Sequence, residues 1–442
     1  MDGGKKIIFY TTIPRIFRTT LIGYLYEIAQ HYSIILLSEE LDVETERLIQ
    51  DKKLFPKIEK IIPIRQFTGE KKNLFVKNKE LYQLAKRIVE KEKPDIVILP
   101  DDRYLFGRYL MRLGKKKNII NISVQSSSYF DSFSEAKRVD LVNTYLRFPN
   151  FLPFKLRFFF VQLRKYFGHF LYHWVLALMV KEKPFLGKSS RILRKGKPGM
   201  RDSHYQTVFS KRDYDIFAND GVSKEKLYIV SHPLVGNFSK KIFETTDNNK
   251  LKITEKLDKI ITLLLPGQTK FGFERKNYSL IPTRKRQKNW LETIKLINSI
   301  FLDWKIYIKP HPLTEEINTI KKLSESISKN IKIVNPKEHV DKYVGLGDII
   351  IGLPLSASTV LFTASLQFPK KPIISLDFFN EFLGDYYKDF NGIEYINNKE
   401  DFVKILKLIK DNKYQKTKIK SEIEGFSSFV DFLNYIILKH EK

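Results

Sequence analysis

Two short polar sets carry the chemistry expected of this chain. The first is Lys309-Pro310-His311-Pro312, which directly follows the apolar run Trp304-Lys305-Ile306-Tyr307-Ile308. The second is Ser356-Ala357-Ser358-Thr359, which comes soon after Asp348-Ile349-Ile350-Ile351. Both runs read as buried strands, so both polar sets sit where strands end. The carboxyl ends of parallel strands form the ligand crevice of an open α/β sheet, a place where one imidazole and several hydroxyls converge on a phosphate-bearing ligand. Two prolines fix the backbone around His311 and remove two N–H donors, more rigidity than a turn requires. Ser356, Ser358 and Thr359 precede the apolar helical run Val360 to Leu366, where hydroxyls can cap the helix and also hold an anion at its positive end. A third phosphate candidate is the turn Pro266-Gly267-Gln268-Thr269-Lys270, with Gly267 for close backbone approach and Lys270 for charge. His232-Pro233 repeats the His-Pro pair after the run Leu227 to Val230, either as a donor-side contact or as a hinge turn.

These residues need strands and helices to position them, and the chain supplies both in alternation. Lys6 to Tyr10, Tyr32 to Leu37, Asp95 to Leu99 and Asn118 to Val124 read as strands, with helices over Leu21 to His31 and Lys79 to Glu92. The rhythm lapses, resumes at Tyr205 to Phe209 and Leu227 to Val230, and meets a polar stretch from Asn237 to Lys256. A second series follows: Lys259 to Leu265, Trp304 to Lys309, Ile331 to Val334, Asp348 to Gly352 and Pro372 to Leu376. Strands alternating with helices predict mostly parallel sheets. The expected organisation is an N-terminal domain over 1–236, a linker over 237–256, a C-terminal domain over 257–425 and a terminal helix over 426–442. At 442 residues, two domains with separate cores fit the length.

The chain has 78 Lys and Arg against 50 Asp and Glu, a formal charge of +28. Such a field favours nucleic acid, anionic lipid or phosphorylated ligands. Between Arg147 and Arg201 the only acidic residue is Glu182, and aromatics such as Phe158, Phe159 and Trp174 are interleaved with cations such as Arg164 and Lys165. This pairing suits a membrane interface, where rings lie at headgroup depth and cations reach lipid phosphates. The uncharged run Tyr166 to Val180 is shorter than the ~20 residues of a spanning helix. The segment 147–201 therefore reads as an interfacial insertion in the N-terminal half; a buried helical hairpin with a basic rim and a single-strand nucleic-acid groove are the other arrangements. No nucleic-acid motif accompanies it. The absence of cysteine excludes disulfides and thiolate chemistry. No apolar stretch of signal-peptide length follows Met1, so a cytoplasmic location at the inner face of the membrane is expected.

The Lys-Pro-His-Pro element, the Ser-Ala-Ser-Thr element and the segment from Gly221 to Pro233 together resemble bacterial surface-polysaccharide glycosyltransferases of GT-B fold, in particular sialyltransferases, polysialyltransferases and capsule Kdo transferases. The resemblance implies an α/β protein of two Rossmann-like domains facing across a cleft. It also implies inverting, metal-independent transfer from a CMP-activated acidic sugar, without a cofactor, to a glycan or glycolipid acceptor. In that family the motif histidine, here His311 with Lys309 and Pro312 around it, contacts the donor phosphate, as do the hydroxyls, here Ser358 and Thr359. Inversion also needs a general base on the acceptor hydroxyl. Asp101 and Asp102, after the strand Ile96 to Leu99, are candidates, with Asp131 a third; Thr11-Thr12-Ile13-Pro14-Arg15 is a further loop able to meet a ligand. Val124-Gln125-Ser126-Ser127-Ser128 stands where related phosphopolyol transferases carry Gln-His-Gly, which counts against that branch. No Asp-x-Asp element lies at a strand end, so no metal is expected. The competing enzyme of this fold is a non-hydrolysing UDP-sugar 2-epimerase, and a basic nucleic-acid-binding protein is the non-enzymatic alternative.

Overall fold

The computed structural model describes residues 5–11, 20–39, 41, 43–64, 74–102, 105–126, 152–180, 197–233, 259–265, 283–311, 317–336, 338, 340–353, 359–378, 392–416 and 425–441. The chain forms two compact units. One comprises Met1–Ala136, Arg164–Phe238 and Glu422–Lys442; the other comprises Lys137–Leu163 and Ser239–Ser421.

The first unit is built on seven strands: β1 (Lys6–Thr11), β2 (Ser33–Ser38), β3 (Ile58–Pro63), β4 (Ile96–Leu99), β5 (Ile120–Val124), β6 (Tyr205–Val208) and β7 (Leu227–Ile229). They lie in the order β3-β2-β1-β4-β5-β6-β7 and pair in parallel throughout. The inner strands are covered on both faces, which is why they read as continuous apolar runs. Its helices include α1 (Ile22–Ala29), α2 (Val43–Gln50), α3 (Leu74–Glu92) and α4 (Leu105–Lys116), then α5 (Phe154–Val180), of which Phe154–Leu163 falls in the second unit and Arg164–Val180 in the first, and α6 (Lys211–Asn219). Alternate residues Ile8, Tyr10, Ile35, Leu37, Val97 and Leu99 form one face of the sheet and pack with Leu81, Ala85 and Ile88 of α3 and Phe106, Tyr109 and Leu110 of α4. Ser210 caps α6, accepting from the Asp213 N–H at 3.1 Å and donating to its carboxylate at 2.9 Å.

The second unit repeats the plan with β8 (Ile260–Leu265), β9 (Lys305–Pro310), β10 (Ile331–Ile333), β11 (Ile349–Gly352), β12 (Ile373–Leu376) and β13 (Glu394–Ile396). Their order is β10-β9-β8-β11-β12-β13, again all parallel. The helices are α7 (Thr283–Ile300), α8 (Ile317–Glu325), α9 (Val340–Leu346), α10 (Thr359–Gln367) and α11 (Lys399–Lys410). Ile261, Leu263, Ile306, Ile308, Ile349 and Ile351 pack against Trp290, Ile294 and Ile297 of α7 and Phe402 and Leu406 of α11.

The last helix, α12 (Phe429–Glu441), belongs to the first unit. Glu27 of α1 accepts a hydrogen bond from the Phe429 N–H at 2.9 Å, and the Tyr32 hydroxyl donates to Asn434 at 2.5 Å. Phe429 meets Tyr24 edge-on at 4.6 Å, and Phe432 lies 5.3 Å from Tyr228. Aromatic burial and two polar ties hold this helix to α1 and the β6–β7 side of the sheet.

The structure departs from the sequence reading at the sheet edges. β3 and β13 are edge strands with little continuous burial: Glu59 and Lys60 of β3 are exposed, and only Ile396 of β13 is buried. Neither produces the unbroken apolar run that marks an inner strand. The helices α2 and α4 also went unread; α4 carries Gly107, Arg108, Arg112 and Gly114 within its apolar pattern. α5 is one uninterrupted helix of 27 residues, and residues 181–196 of the basic segment lie outside the described residues. The stretch 237–256 lies outside the described residues.

Candidate functional site

In each sheet the strand order reverses beside the first strand of its series: between β1 and β4 in the first unit and between β8 and β11 in the second. Ligands of open α/β sheets bind outside the carboxyl ends of the strands at such a reversal. In the second unit, Leu265 of β8 pairs with Pro310 of β9, and Gly352 of β11 pairs with Leu264 of β8. The three strands therefore end level. At ~4.8 Å between neighbouring strands, His311 emerges about one strand spacing from the end of β8 and about two from the end of β11.

His311 is partly buried at the end of β9. The buried Lys309 donates from Nζ to the Pro310 carbonyl at 2.8 Å and the Pro336 carbonyl at 2.9 Å. Burial lowers its pKa to about 8, with Glu338 acting in the opposite direction. Lys309 thus ties the His311 loop to the segment after β10, so its ammonium is engaged by carbonyls rather than turned toward a phosphate. Thr359 opens α10, with its side chain outside the described set; Gly267, Gln268, Thr269, Lys270, Pro312, Ser356 and Ser358 lie outside the described residues. One group the sequence reading missed is Asp377, buried at the end of β12, whose carboxylate accepts from the Tyr395 hydroxyl at 2.7 Å. Its place immediately after a strand was the available signal.

In the first unit, Phe9 of β1 pairs with Ile98 of β4, which brings Thr11 level with the residues just before Asp101. Thr11 and its register partner Ser38 are buried hydroxyls with no hydrogen-bond partner among the described residues. Glu39, the next residue, accepts from the Tyr10 hydroxyl at 2.5 Å; it too follows a strand and was missed.

The adjacent aspartates take different directions. The Asp102 side chain is fully buried and accepts from the Gly199 N–H at 3.0 Å, the Arg201 N–H at 3.1 Å and the Ser203 hydroxyl at 3.0 Å. Burial pushes its pKa up and the neighbouring Asp101 adds to the rise, while Arg201 and the hydrogen bonds oppose it. Gly199 adopts φ +81°, and a Cβ there would lie 2.6 Å from Gln206 Oε1, so glycine is required where this loop meets Asp102. Asp102 therefore anchors the chain between α5 and β6. Asp101 is 7% exposed and follows β4 beside the β1–β4 reversal. Asp131 lies outside the described residues.

Gln125, following β5, accepts from the Phe209 N–H at 2.7 Å and so links the ends of β5 and β6. His232 is buried after β7 with its ring 4.4 Å from that of Phe209, and desolvation pushes its pKa down to about 3. A neutral, enclosed imidazole supplies no positive charge to a phosphate. On α5, Phe159, Arg164 and Trp174 are exposed and Phe158 is partly buried; the Lys165 side chain is outside the described set. Among the described residues no helix is long and apolar enough to cross a membrane.

No protein-family model and no curated protein matches the chain. Solved structures do. The UDP-GlcNAc 2-epimerase of Methanocaldococcus jannaschii is similar with a TM-score of 0.60 at 16% identity, over 97% of this chain and 99% of that one. The Neisseria meningitidis UDP-GlcNAc 2-epimerase bound to UDP-GlcNAc gives 0.58 at 13% identity, over 98% and 100%. A glycosyltransferase from Rickettsia africae gives 0.51 at 13%, over 99% and 98%. Two parallel sheets with helices, matched along the whole chain at low identity, establish the fold as GT-B, with two Rossmann-like domains.

Proposed function

We propose that this protein is an enzyme acting on a nucleotide-activated sugar, and that the nucleotide is held at the level ends of β8, β9 and β11. The observation that carries this reading is the whole-length likeness to UDP-GlcNAc 2-epimerases, one of them bound to UDP-GlcNAc. The same likeness favours a UDP-sugar over the CMP-activated acidic sugar suggested by the His-Pro and Ser/Thr motifs, and it favours inversion at the sugar C2 as the reaction. His311 contacts the donor phosphate in this reading. Asp101 is the candidate general base in this reading. Asp102 holds the loop behind it.

Transfer to an acceptor is the second reading. A neighbour described as a glycosyltransferase and the exposed aromatic and basic residues of α5 favour it, because a lipid-linked acceptor would place the enzyme at a membrane surface. Incubation with UDP-GlcNAc and with CMP-sialic acid, followed by thermal unfolding and proton NMR, separates the readings. Stabilisation by UDP-GlcNAc with appearance of the C2 epimer supports isomerisation. Stabilisation with sugar transfer only when a glycan acceptor is added supports transfer. A CMP-sugar stabilising in place of a UDP-sugar would reverse the choice of donor, and no response to any nucleotide sugar would overturn both readings.

A further inference from the structure

Helix α5 turns an apolar face outward. Leu156, Phe159, Phe160, Leu163, Tyr166, Phe167, Leu171 and Trp174 are all exposed, with Phe159 at 59%, Leu163 at 55%, Phe167 at 64% and Trp174 at 51%. At about 100° per residue these positions fall within an arc of about 140°, a stripe extending about 27 Å along the helix. Arg157 and Val161, on the other side, are buried. The usual arrangement of a surface helix is reversed, since large apolar groups face outward at intervals from Leu156 to Trp174. Exposed Lys155 and Arg164 stand about 20° beyond the two edges of the stripe. No Asp or Glu occurs between Phe154 and Val180, and 13 Lys and Arg oppose one Glu between Arg147 and Arg201.

We propose that α5 lies flat on an anionic lipid bilayer, with its aromatic stripe at headgroup depth and Lys155 and Arg164 reaching the lipid phosphates on either side. Charge decides the occupant. Cations flanking an aromatic stripe fit a negatively charged interface, where stems lie along apolar surface and charged ends reach phosphates. Two copies of this face would instead bring their cations together. Among the described residues the helix is not apolar enough to span, which leaves in-plane binding. The inference is independent of which sugar the protein handles, and its test does not read catalysis.

The test is flotation of the full-length protein with vesicles of phosphatidylcholine alone and with vesicles containing phosphatidylglycerol. Binding to the anionic vesicles that falls with added salt is expected. The double change Phe159→Ser, Phe167→Ser should weaken partitioning about tenfold or more, since two rings leave the interface. Trp174 is an independent reporter: of the three tryptophans, Trp290 is buried and Trp304 partly buried. Anionic vesicles should shift the emission to the blue in the unaltered protein and leave it unshifted in Trp174→Phe. Failure to float with either vesicle, or unchanged Trp174 emission on vesicles, would overturn the proposal. So would self-association abolished by the serine variant, which would assign the face to a second copy.

Discussion

At the residue scale, two adjacent buried carboxylates occupy different places in the sheet. Asp101 and Asp102 share one turn, yet Asp102 spends its carboxylate on three donors while Asp101 sits at the strand reversal. Replacing Asp102 with Ala should cost about 3 kcal/mol in denaturant unfolding, because buried N–H and O–H donors lose their acceptor. Asp101→Asn should still fold and bind its nucleotide sugar but lose about a hundredfold or more in turnover on it. The reverse pattern would exchange the two roles. His311→Ala should weaken nucleotide-sugar binding about tenfold by calorimetry with unfolding unchanged, and undiminished affinity would remove His311 from the site. Both aspartates and His311 were legible as residues following strands. Their division of labour was not, because the donors to Asp102 lie 97 to 101 residues away in sequence.

At the element scale, the contact between α1 and α12 depends on pH. Burial raises the Glu27 pKa to about 7, Asp431 adds to the rise, and the Phe429 N–H opposes it. An acid whose folded pKa lies above its unfolded value near 4.5 stabilises the fold fully below that value, and the contribution is lost as pH rises to about 7. Relative to the parent, Glu27→Gln should therefore gain on the order of 2–3 kcal/mol between pH 4.5 and 7, measured as the difference between the two unfolding profiles. A constant difference across this window would show that Glu27 does not titrate there. His204, 5.9 Å from His440 of α12, has the opposite sign. Burial, then His440 and nearby lysines, lower its pKa, so it stabilises the fold at higher pH and that contribution is lost as pH falls below about 6.5. Inner strands announced themselves as continuous apolar runs. The edge strands β3 and β13 did not, because exposed edge residues face water and need no such run.

At the scale of the whole molecule, two sheets of matching strand order occur in one chain, and the last helix returns to the first unit. The ties between α12 and α1 link residues about 400 positions apart, at 2.5 Å for Tyr32 with Asn434 and 2.9 Å for Phe429 with Glu27. Truncation before Phe429 would expose Tyr24, Tyr205 and Tyr228 and should lower the thermal midpoint of the first unit by several degrees; an unchanged midpoint would show that α12 adds nothing to its stability.

The sequence by itself determined which residues would follow strands and that the strands would be parallel, because both properties are local: apolar runs of strand length and helical repeats between them. Tertiary structure decided the rest. Strand order set where each sheet reverses, and register brought His311 level with the ends of β8 and β11. Lys309 was turned onto carbonyls, His232 was enclosed against Phe209, and α5 was left with its rings facing outward. Each outcome depends on which distant backbone or ring lies beside a side chain, information that no local pattern of residues contains.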